Sequence, residues 1–132
     1  MLVVDTHDVA YLLIAGDATK QAQALWQVDP DWCSEPFFRI EFSNLLATQA
    51  RAKALTVAQA LSLLERAQSL VKATAEAHAD ALRVAAAFGV SAYDARFLAA
   101  AQSLGSKLVT EDSRLRKAAP TLTQSLAEAF AR

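Results

Sequence analysis

The clearest indication of the fold is the stretch "LVVDTHDVAYLL" at residues 2–13. Its first apolar residues, which include Val3 and Val4, predict a short buried β-strand because β-branched side chains favour strands. From Asp8 to about residue 14 the apolar residues recur at helical spacing, which predicts a helix. Carboxylates therefore occupy the point where a buried strand passes into a helix. A strand followed at once by a helix is typical of an α/β fold.

The rest of the chain repeats this alternation of short strands and longer helices. We expect further strands at residues 32–33 and 107–110 and one more within 121–130, which should also hold a last helical turn. We expect helices at about 18–28, 35–53, 56–71, 76–88, 91–104 and 113–119. A length of 132 residues suits one domain, which we assign to residues 1–132. The predicted architecture is a small, mostly parallel sheet flanked by helices.

Composition excludes some classes of protein. Apolar residues make up 54% of the chain, which is too many for a disordered protein. The apolar runs are too short to span a bilayer, and the first ten residues do not read as a secretory signal, so we expect no membrane and a cytoplasmic location. The formal charge of −1 neither requires nor excludes nucleic acid as a ligand.

Two acidic residues fall where apolar residues are expected. At 100° per residue, Glu41 projects into the apolar stripe of its predicted helix, although the edge of a broad stripe would also let its carboxylate reach water. Asp94 projects onto an apolar face, four residues before Leu98. Ser91 and Asp94 also have the spacing of a capping box, which explains an Asp in a first turn but does not explain its inward direction.

Two more acidic residues follow predicted strands. Asp5 and Asp112 each end a strand and begin a helix, so each is also a good candidate for an N-cap. The carboxyl ends of parallel strands meet at one edge, where α/β proteins bind ligands. If Glu41 and Asp94 reach the same edge, four carboxylates converge and must take up protons or bind a cation. Oxygen ligands suit Mg²⁺ or Mn²⁺, and the two histidines are too few for a zinc site.

These segments together resemble the PIN-domain family, and in particular its small VapC-type toxins. "VVDTHDVAYLL" resembles the first family motif and "FFRIEFSNLLA" the second. "SAYDARFLAAAQSLG" is similar to the third motif and is the most specific, and "LVTEDSRLRKAAP" resembles the fourth. Each motif alone is weak, but the four occur in the right order and spacing over essentially the whole chain.

The resemblance implies a three-layer sandwich and a metal-dependent ribonuclease. It assigns Asp5, Glu41, Asp94 and Asp112 to the family's acidic quartet, which would hold Mg²⁺ (or Mn²⁺) and carry catalysis. Other residues that the resemblance assigns are the supporting hydroxyl residues Thr6 and Thr110. Asp8 departs from the family pattern, which usually has an apolar residue there. We expect Asp8 to face solvent at the start of its helix; the alternative is an extra carboxylate facing the metal or its ligands.

The resemblance also implies partners. It points to an RNA substrate cut by metal-activated water, to an antitoxin protein of a type II toxin–antitoxin pair, and to a homodimer. Among the basic residues, Arg114, Arg116 and Lys117 follow Asp112 and are the best candidates for contacts with substrate phosphates. The apolar helix at residues 55–71 is a candidate dimer surface, although core packing explains its leucines equally well. Two alternatives stay open: a catalytically inactive PIN-like module that binds RNA or protein, and a phosphatase of the haloacid type, which would need an Asp at position 7.

Overall fold

The structure is a computed structural model that describes residues 1–132. The chain forms five short strands and eight helices. The strands are β1 (Leu2–Val4), β2 (Trp32–Ser34), β3 (Lys72–Ala73), β4 (Leu108–Val109) and β5 (Thr123–Gln124). The helices are α1 (Thr6–Leu13), α2 (Thr19–Val28), α3 (Phe37–Arg51), α4 (Val57–Leu70), α5 (His78–Phe88), α6 (Ala92–Ser103), α7 (Ser113–Ala118) and α8 (Leu126–Phe130).

All five strands are parallel and form one sheet in the order β3-β2-β1-β4-β5. The central strand β1 places Val3 opposite Cys33 on one side and opposite Leu108 on the other. The prediction of an α/β fold with a small parallel sheet flanked by helices is confirmed. Strand β3 was not predicted, because Lys72 and Ala73 are both exposed and lack the apolar, β-branched pattern of a buried strand.

Capping residues fix the helix ends close to where the sequence places them. The Thr56 hydroxyl oxygen accepts a hydrogen bond from the Gln59 N–H at 3.0 Å, and the Gln59 side-chain oxygen accepts one from the Thr56 N–H at 2.9 Å, so α4 begins with a full capping box. Helix α5 ends at Gly89, which has a φ of 66°. This left-handed conformation suits a residue without a Cβ atom and turns the chain toward α6.

One hydrophobic core of 28 buried residues joins the sheet to the helices. Phe38, Phe42 and Leu46 contribute one face of α3, and Phe97 and Leu98 lie on α6. Glu41 and Asp94 are thus carried by helices whose neighbouring turns are fixed in the core. No single helix is long and apolar enough to cross a membrane, although α5 and α6, bent by 104° at their junction, pass the same test of length and composition as a pair.

The strand order places a switch point between β1 and β4. From β1 the chain continues to β2 and β3 on one side of the sheet, and it then returns to β4 and β5 on the other side. In open parallel sheets a crevice forms at such a point, beyond the carboxyl ends of the two strands. Asp5 directly follows β1, and residues 110–112 directly follow β4, so the topology alone brings these side chains to one crevice.

Candidate active site

The four acidic residues that the sequence singles out line one cavity at this crevice. The cavity has a volume of about 260 Å³, and Asp5, Glu41, Asp94 and Asp112 all contribute to its wall. Its remaining lining residues are Thr6, His7, Tyr11, Phe97, Leu108, Glu111 and Leu115. We name it the acidic cavity. Four carboxylates from four separate parts of the chain therefore share one pocket.

Asp5 and Asp8 hold the start of α1 through a reciprocal pair of hydrogen bonds. The Asp8 N–H donates to the Asp5 carboxylate at 3.0 Å, and the Asp5 N–H donates to Asp8 Oδ2 at 3.1 Å. Burial raises the pKa of Asp5, and the neighbouring Thr110 hydroxyl works in the opposite direction. The hydrogen bonds to Asp5 thus offset only part of the cost of burying its charged carboxylate at the edge of the acidic cavity.

The expectation that Asp8 faces solvent is wrong. Asp8 is fully buried, because its position in the capping box turns its side chain back toward Asp5. Its Oδ1 atom has no hydrogen-bond partner. Burial, followed by the charge of Asp5, raises the pKa of Asp8 well above its ordinary value. The spacing of Asp5 and Asp8 contains this signal, since a helix N-cap and an acid three residues later form a capping box.

Glu41 is held by the first residue of α1. The buried Thr6 hydroxyl donates a hydrogen bond of 2.6 Å to Glu41 Oε1, across 35 positions in the sequence. This bond fixes one carboxylate oxygen of Glu41 and leaves the other, Oε2, without that constraint. The inward direction read from the helical period is thereby supported by a specific contact, and the partly buried Glu41 does not lie on a purely solvated face.

Asp94 is positioned by a cap that does not occupy its carboxylate. The Ser91 side chain accepts a hydrogen bond from the Asp94 backbone N–H at 3.1 Å, so Ser91 caps α6. The return bond of a capping box, from the Ser91 N–H to the Asp94 carboxylate, is not formed. Capping therefore sets the start of the helix, and the Asp94 carboxylate stays available to the acidic cavity.

Asp112 both caps α7 and lines the acidic cavity. Its Oδ1 atom accepts hydrogen bonds from the Arg114 and Leu115 N–H groups at 3.0 and 3.2 Å, which caps α7. Its own N–H donates to the Thr110 hydroxyl oxygen at 3.1 Å, and Thr110 is fully buried. Thr110 thus contacts the Asp112 backbone and lies beside Asp5, so it links the two acids that follow β1 and β4.

A fifth acidic residue of the cavity, Glu111, was not predicted. It lies between Thr110 and Asp112, and one of its oxygens accepts a 2.6 Å hydrogen bond from the Leu126 N–H. The other oxygen is 3.9 Å from the Arg116 guanidinium. Its position directly after β4 is the signal that would have identified it, because the carboxyl end of that strand faces the crevice.

The three basic residues proposed for substrate contacts have different surroundings. Arg114 lines a second cavity that shares Asp94 and Asp112 with the acidic cavity. Arg116 is already engaged, since it donates to the Thr110 carbonyl at 3.5 Å and lies near Glu111. Lys117 is exposed and lies outside both cavities. Arg114 is therefore the best placed of the three to meet a phosphate beside the acids.

The residues present fit a hard divalent cation by their chemistry. The acidic cavity offers carboxylate and hydroxyl oxygens, which are the ligands that Mg²⁺ and Mn²⁺ prefer. No three His, Cys, Asp or Glu side chains are close enough together to hold an ion at once. Mg²⁺ typically keeps several waters and uses one or two carboxylates plus substrate phosphates. The spread of the four acids around the cavity is compatible with that mode and differs from the tight cluster of an all-protein site.

Comparisons with known proteins agree with the motifs and the fold. The family model of the PIN domain matches residues 2–120. Ribonuclease VapC3 from Pyrobaculum aerophilum is 31% identical over 126 residues, which cover 92% of this chain and 96% of that protein. The crystal structure of PAE2754 from the same organism aligns with a TM-score of 0.79 over 99% of this chain and 94% of that chain, at 23% identity. With its four motifs, its parallel sheet and its shared acidic cavity, this chain belongs to the PIN-domain family.

Proposed function

We propose that this protein is an Mg²⁺- or Mn²⁺-dependent endoribonuclease that hydrolyses phosphodiester bonds in RNA. The observation that carries the proposal is the gathering of Asp5, Glu41, Asp94 and Asp112 around one cavity at the sheet's switch point. Such a set of carboxylates is costly without a cation, and it suits chemistry on a substrate that brings phosphate groups. The similarity to Ribonuclease VapC3 supports RNA as the substrate.

In this proposal the carboxylates hold the cation, which offsets their repulsion of the substrate phosphate. A divalent cation, when bound, supplies positive charge to the scissile phosphate and lowers the pKa of the attacking water. The carboxylate ligands of the cation would come from among Asp5, Glu41, Asp94 and Asp112. Thr6 fixes one oxygen of Glu41, and Thr110 fixes the backbone of Asp112, so both hydroxyl residues act by positioning the acids.

The side chains around the acids determine how RNA approaches. Carboxylates repel a phosphodiester, so an approaching strand needs basic groups near the cavity. Arg114 meets this need on the side of the cavity formed by Asp94 and Asp112. The apolar residues Phe97, Leu108 and Leu115 form part of the cavity wall.

We further propose that the protein is the toxin of a type II toxin–antitoxin pair and acts in the cytoplasm. Support comes from the VapC-type motifs and from the relative named Ribonuclease VapC3. In such a pair a small antitoxin protein would cover the acidic cavity and block it. We expect a pull-down to recover the product of a neighbouring short reading frame, and we expect addition of that product to stop RNA cleavage. Cleavage that persists in the complex would contradict the proposal.

We also propose a homodimer, with the exposed apolar side chains of α4 at its interface. Of the apolar residues in α4, only Ala67 is fully buried, whereas Val57 and Leu61 are 68% and 63% exposed. Core packing accounts for the half-buried Leu63 and Leu64 but not for these two side chains. Sedimentation should give a dimer for the wild type and a shift toward monomer for Leu61→Glu. Only monomer at high concentration would contradict the dimer.

The proposed activity is tested with end-labelled single-stranded RNA. We expect cleavage with Mg²⁺ or Mn²⁺, none with a chelator, and products that carry a 5′-phosphate. Asp5→Asn and Asp94→Asn should abolish cleavage, whereas the surface variant Asp80→Asn, whose carboxylate pairs only with the exposed Arg83, should cleave normally. An intact fold combined with no metal-dependent cleavage of any RNA would favour the alternative of an inactive binding module. Cleavage of a small phosphate ester alone would favour a phosphatase.

A further inference from the structure

A second groove lies beside the acidic cavity along α3. It has a volume of about 360 Å³ and shares Thr6, His7 and Glu41 with the acidic cavity. Its other lining residues are Asn44, Leu45, Thr48 and Gln49 of α3. We name it the side groove. Because three residues line both spaces, the side groove directly adjoins the acidic cavity.

The side groove differs chemically from the acidic cavity. Beyond Glu41 its polar side chains are two amides, two hydroxyls and the His7 ring. The Thr48 hydroxyl donates to the backbone carbonyl of Asn44 at 3.0 Å and accepts a hydrogen bond from the Arg51 guanidinium at 3.3 Å. The side-chain amides of Asn44 and Gln49 make no hydrogen bond to another protein group. Each amide offers two donor hydrogens and an acceptor oxygen, so both are free for a ligand.

The opposite side of the acidic cavity adjoins a basic side chain. There the adjoining cavity contains Asp94, Asp112 and the basic Arg114. The acidic cavity therefore adjoins a space that contains Arg114 on one side and the polar side groove on the other, and Arg51 bonds to Thr48 of that groove. An RNA strand alternates charged phosphates with uncharged bases. Glu41 repels a phosphate in the side groove, but it does not repel a base, and Arg51 offers a cation beyond it.

We propose that the side groove binds one unpaired nucleobase of the RNA, next to the phosphate held at the acidic cavity. Asn44 and Gln49 donate to and accept from the edge of the base, and His7 contacts the base at the junction of the two spaces. Proteins read RNA sequence mainly from unstacked bases with free hydrogen-bonding edges. This inference rests on the proposed ribonuclease function and adds to it a selectivity for single strands and for the base at one position beside the cut.

The first test follows Asn44 directly, because it is the only asparagine in the chain. Protein labelled with ¹⁵N at asparagine gives one side-chain amide pair, and the Asp94→Ala variant, which adds no asparagine, keeps the RNA intact during the titration. We expect a short single-stranded RNA to shift this pair, and we expect no shift with a duplex or with an oligomer that lacks bases. The inference is overturned if the pair stays unchanged at saturating RNA, if no RNA binds, or if only a protein partner moves it.

The second test measures selectivity by cleavage. We expect Asn44→Ala and Gln49→Ala each to raise KM about tenfold, to leave kcat within about twofold, and to weaken the preference for one base beside the cut. The matched control is Gln21→Ala, since Gln21 is exposed on α2 and lies outside both spaces. If the wild type cleaves RNA and both variants keep its KM and its base preference, the inference about the side groove is overturned, but the ribonuclease proposal stays intact. If the wild type cleaves no RNA, the ribonuclease proposal fails, and the Asn44 titration alone decides the role of the groove.

Discussion

Thr6→Val tests whether the geometry of the acids matters for cleavage. The Thr6 hydroxyl donates a 2.6 Å bond to Glu41 and is buried, so valine removes the donor while keeping a β-branched side chain of similar shape. A hydrogen bond to a charged group contributes about 1.5–3 kcal/mol. If cleavage needs Glu41 in this position, kcat/KM should fall by about tenfold to a hundredfold, since 1.4 kcal/mol corresponds to tenfold.

The assay for Thr6→Val compares rates of RNA cleavage at saturating Mg²⁺ with thermal unfolding of the same preparations. Thr6→Ser keeps the hydroxyl and should restore most of the rate, which separates loss of the donor from a general packing defect. Glu41 is only partly buried, so water can hydrate its carboxylate in the valine variant, and we expect stability to fall by no more than about 1–2 kcal/mol. A valine variant that folds normally and cleaves within twofold of the wild type would refute the positioning role.

Three further substitutions test the scaffold by thermal or denaturant unfolding. Arg96→Met removes the 2.7 Å ion pair of Glu35, which is 2% exposed, and should lower the free energy of unfolding by about 3 kcal/mol. Arg83→Met removes a pair that is exposed on both sides and should lower it by less than about 1 kcal/mol. Equal losses would contradict a special role for the buried pair. Burial disfavours the ionised form of Asp8, so Asp8→Asn, which keeps an acceptor for the backbone hydrogen bond, should raise the melting temperature by a few degrees in a chelating buffer at alkaline pH, where Asp8 is ionised; a lower melting temperature there would show that the charge is compensated. Gly89→Ala places a Cβ atom at a φ of 66° and should cost about 1 kcal/mol, with an unchanged midpoint as the contrary result.

The helical period and the strand ends predicted which way the acids face, but they left open whether Glu41 and Asp94 reach the edge shared by Asp5 and Asp112. Glu41 and Asp94 were placed on inward faces by their spacing from apolar neighbours, because a helix buried on one side fixes the direction of every residue it carries. Asp5 and Asp112 were placed at a common edge, because parallel strands end on the same side of a sheet. These arguments use only local geometry and the direction of the strands.

Contacts between distant segments could not be predicted in the same way. The bond from Thr6 to Glu41 joins residues 35 positions apart, and it depends on the relative rotation of α1 and α3, which the period of neither helix determines. The burial of Asp8 depends on a reciprocal cap that we recognised at Ser91 but did not apply to Asp5. Strand β3 consists of two exposed residues, so hydrogen bonding to β2 defines it and a hydrophobic pattern does not.

Arg96 shows how a basic residue near the site can have a structural role. Its guanidinium pairs with Glu35 Oε1 at 2.7 Å and lies 2.9 Å from His78 Nδ1. Glu35 also accepts a 2.7 Å bond from the Phe37 N–H at the start of α3. These contacts join the beginnings of α3 and α5 to α6. Arg96 thereby holds together the two helices that carry Glu41 and Asp94, and its guanidinium is not free to bind a phosphate.

The central claim is that the acidic cavity binds a divalent cation through residues contributed by separate elements. Mn²⁺ binding followed by electron paramagnetic resonance tests it most directly, with the wild type, Asp94→Asn and the surface variant Asp80→Asn measured side by side. The account predicts saturable binding that Mg²⁺ displaces in the wild type and Asp80→Asn, and at least a tenfold loss of affinity in Asp94→Asn. Equal Mn²⁺ binding in all three proteins, or no saturable binding in the folded wild type, would contradict it.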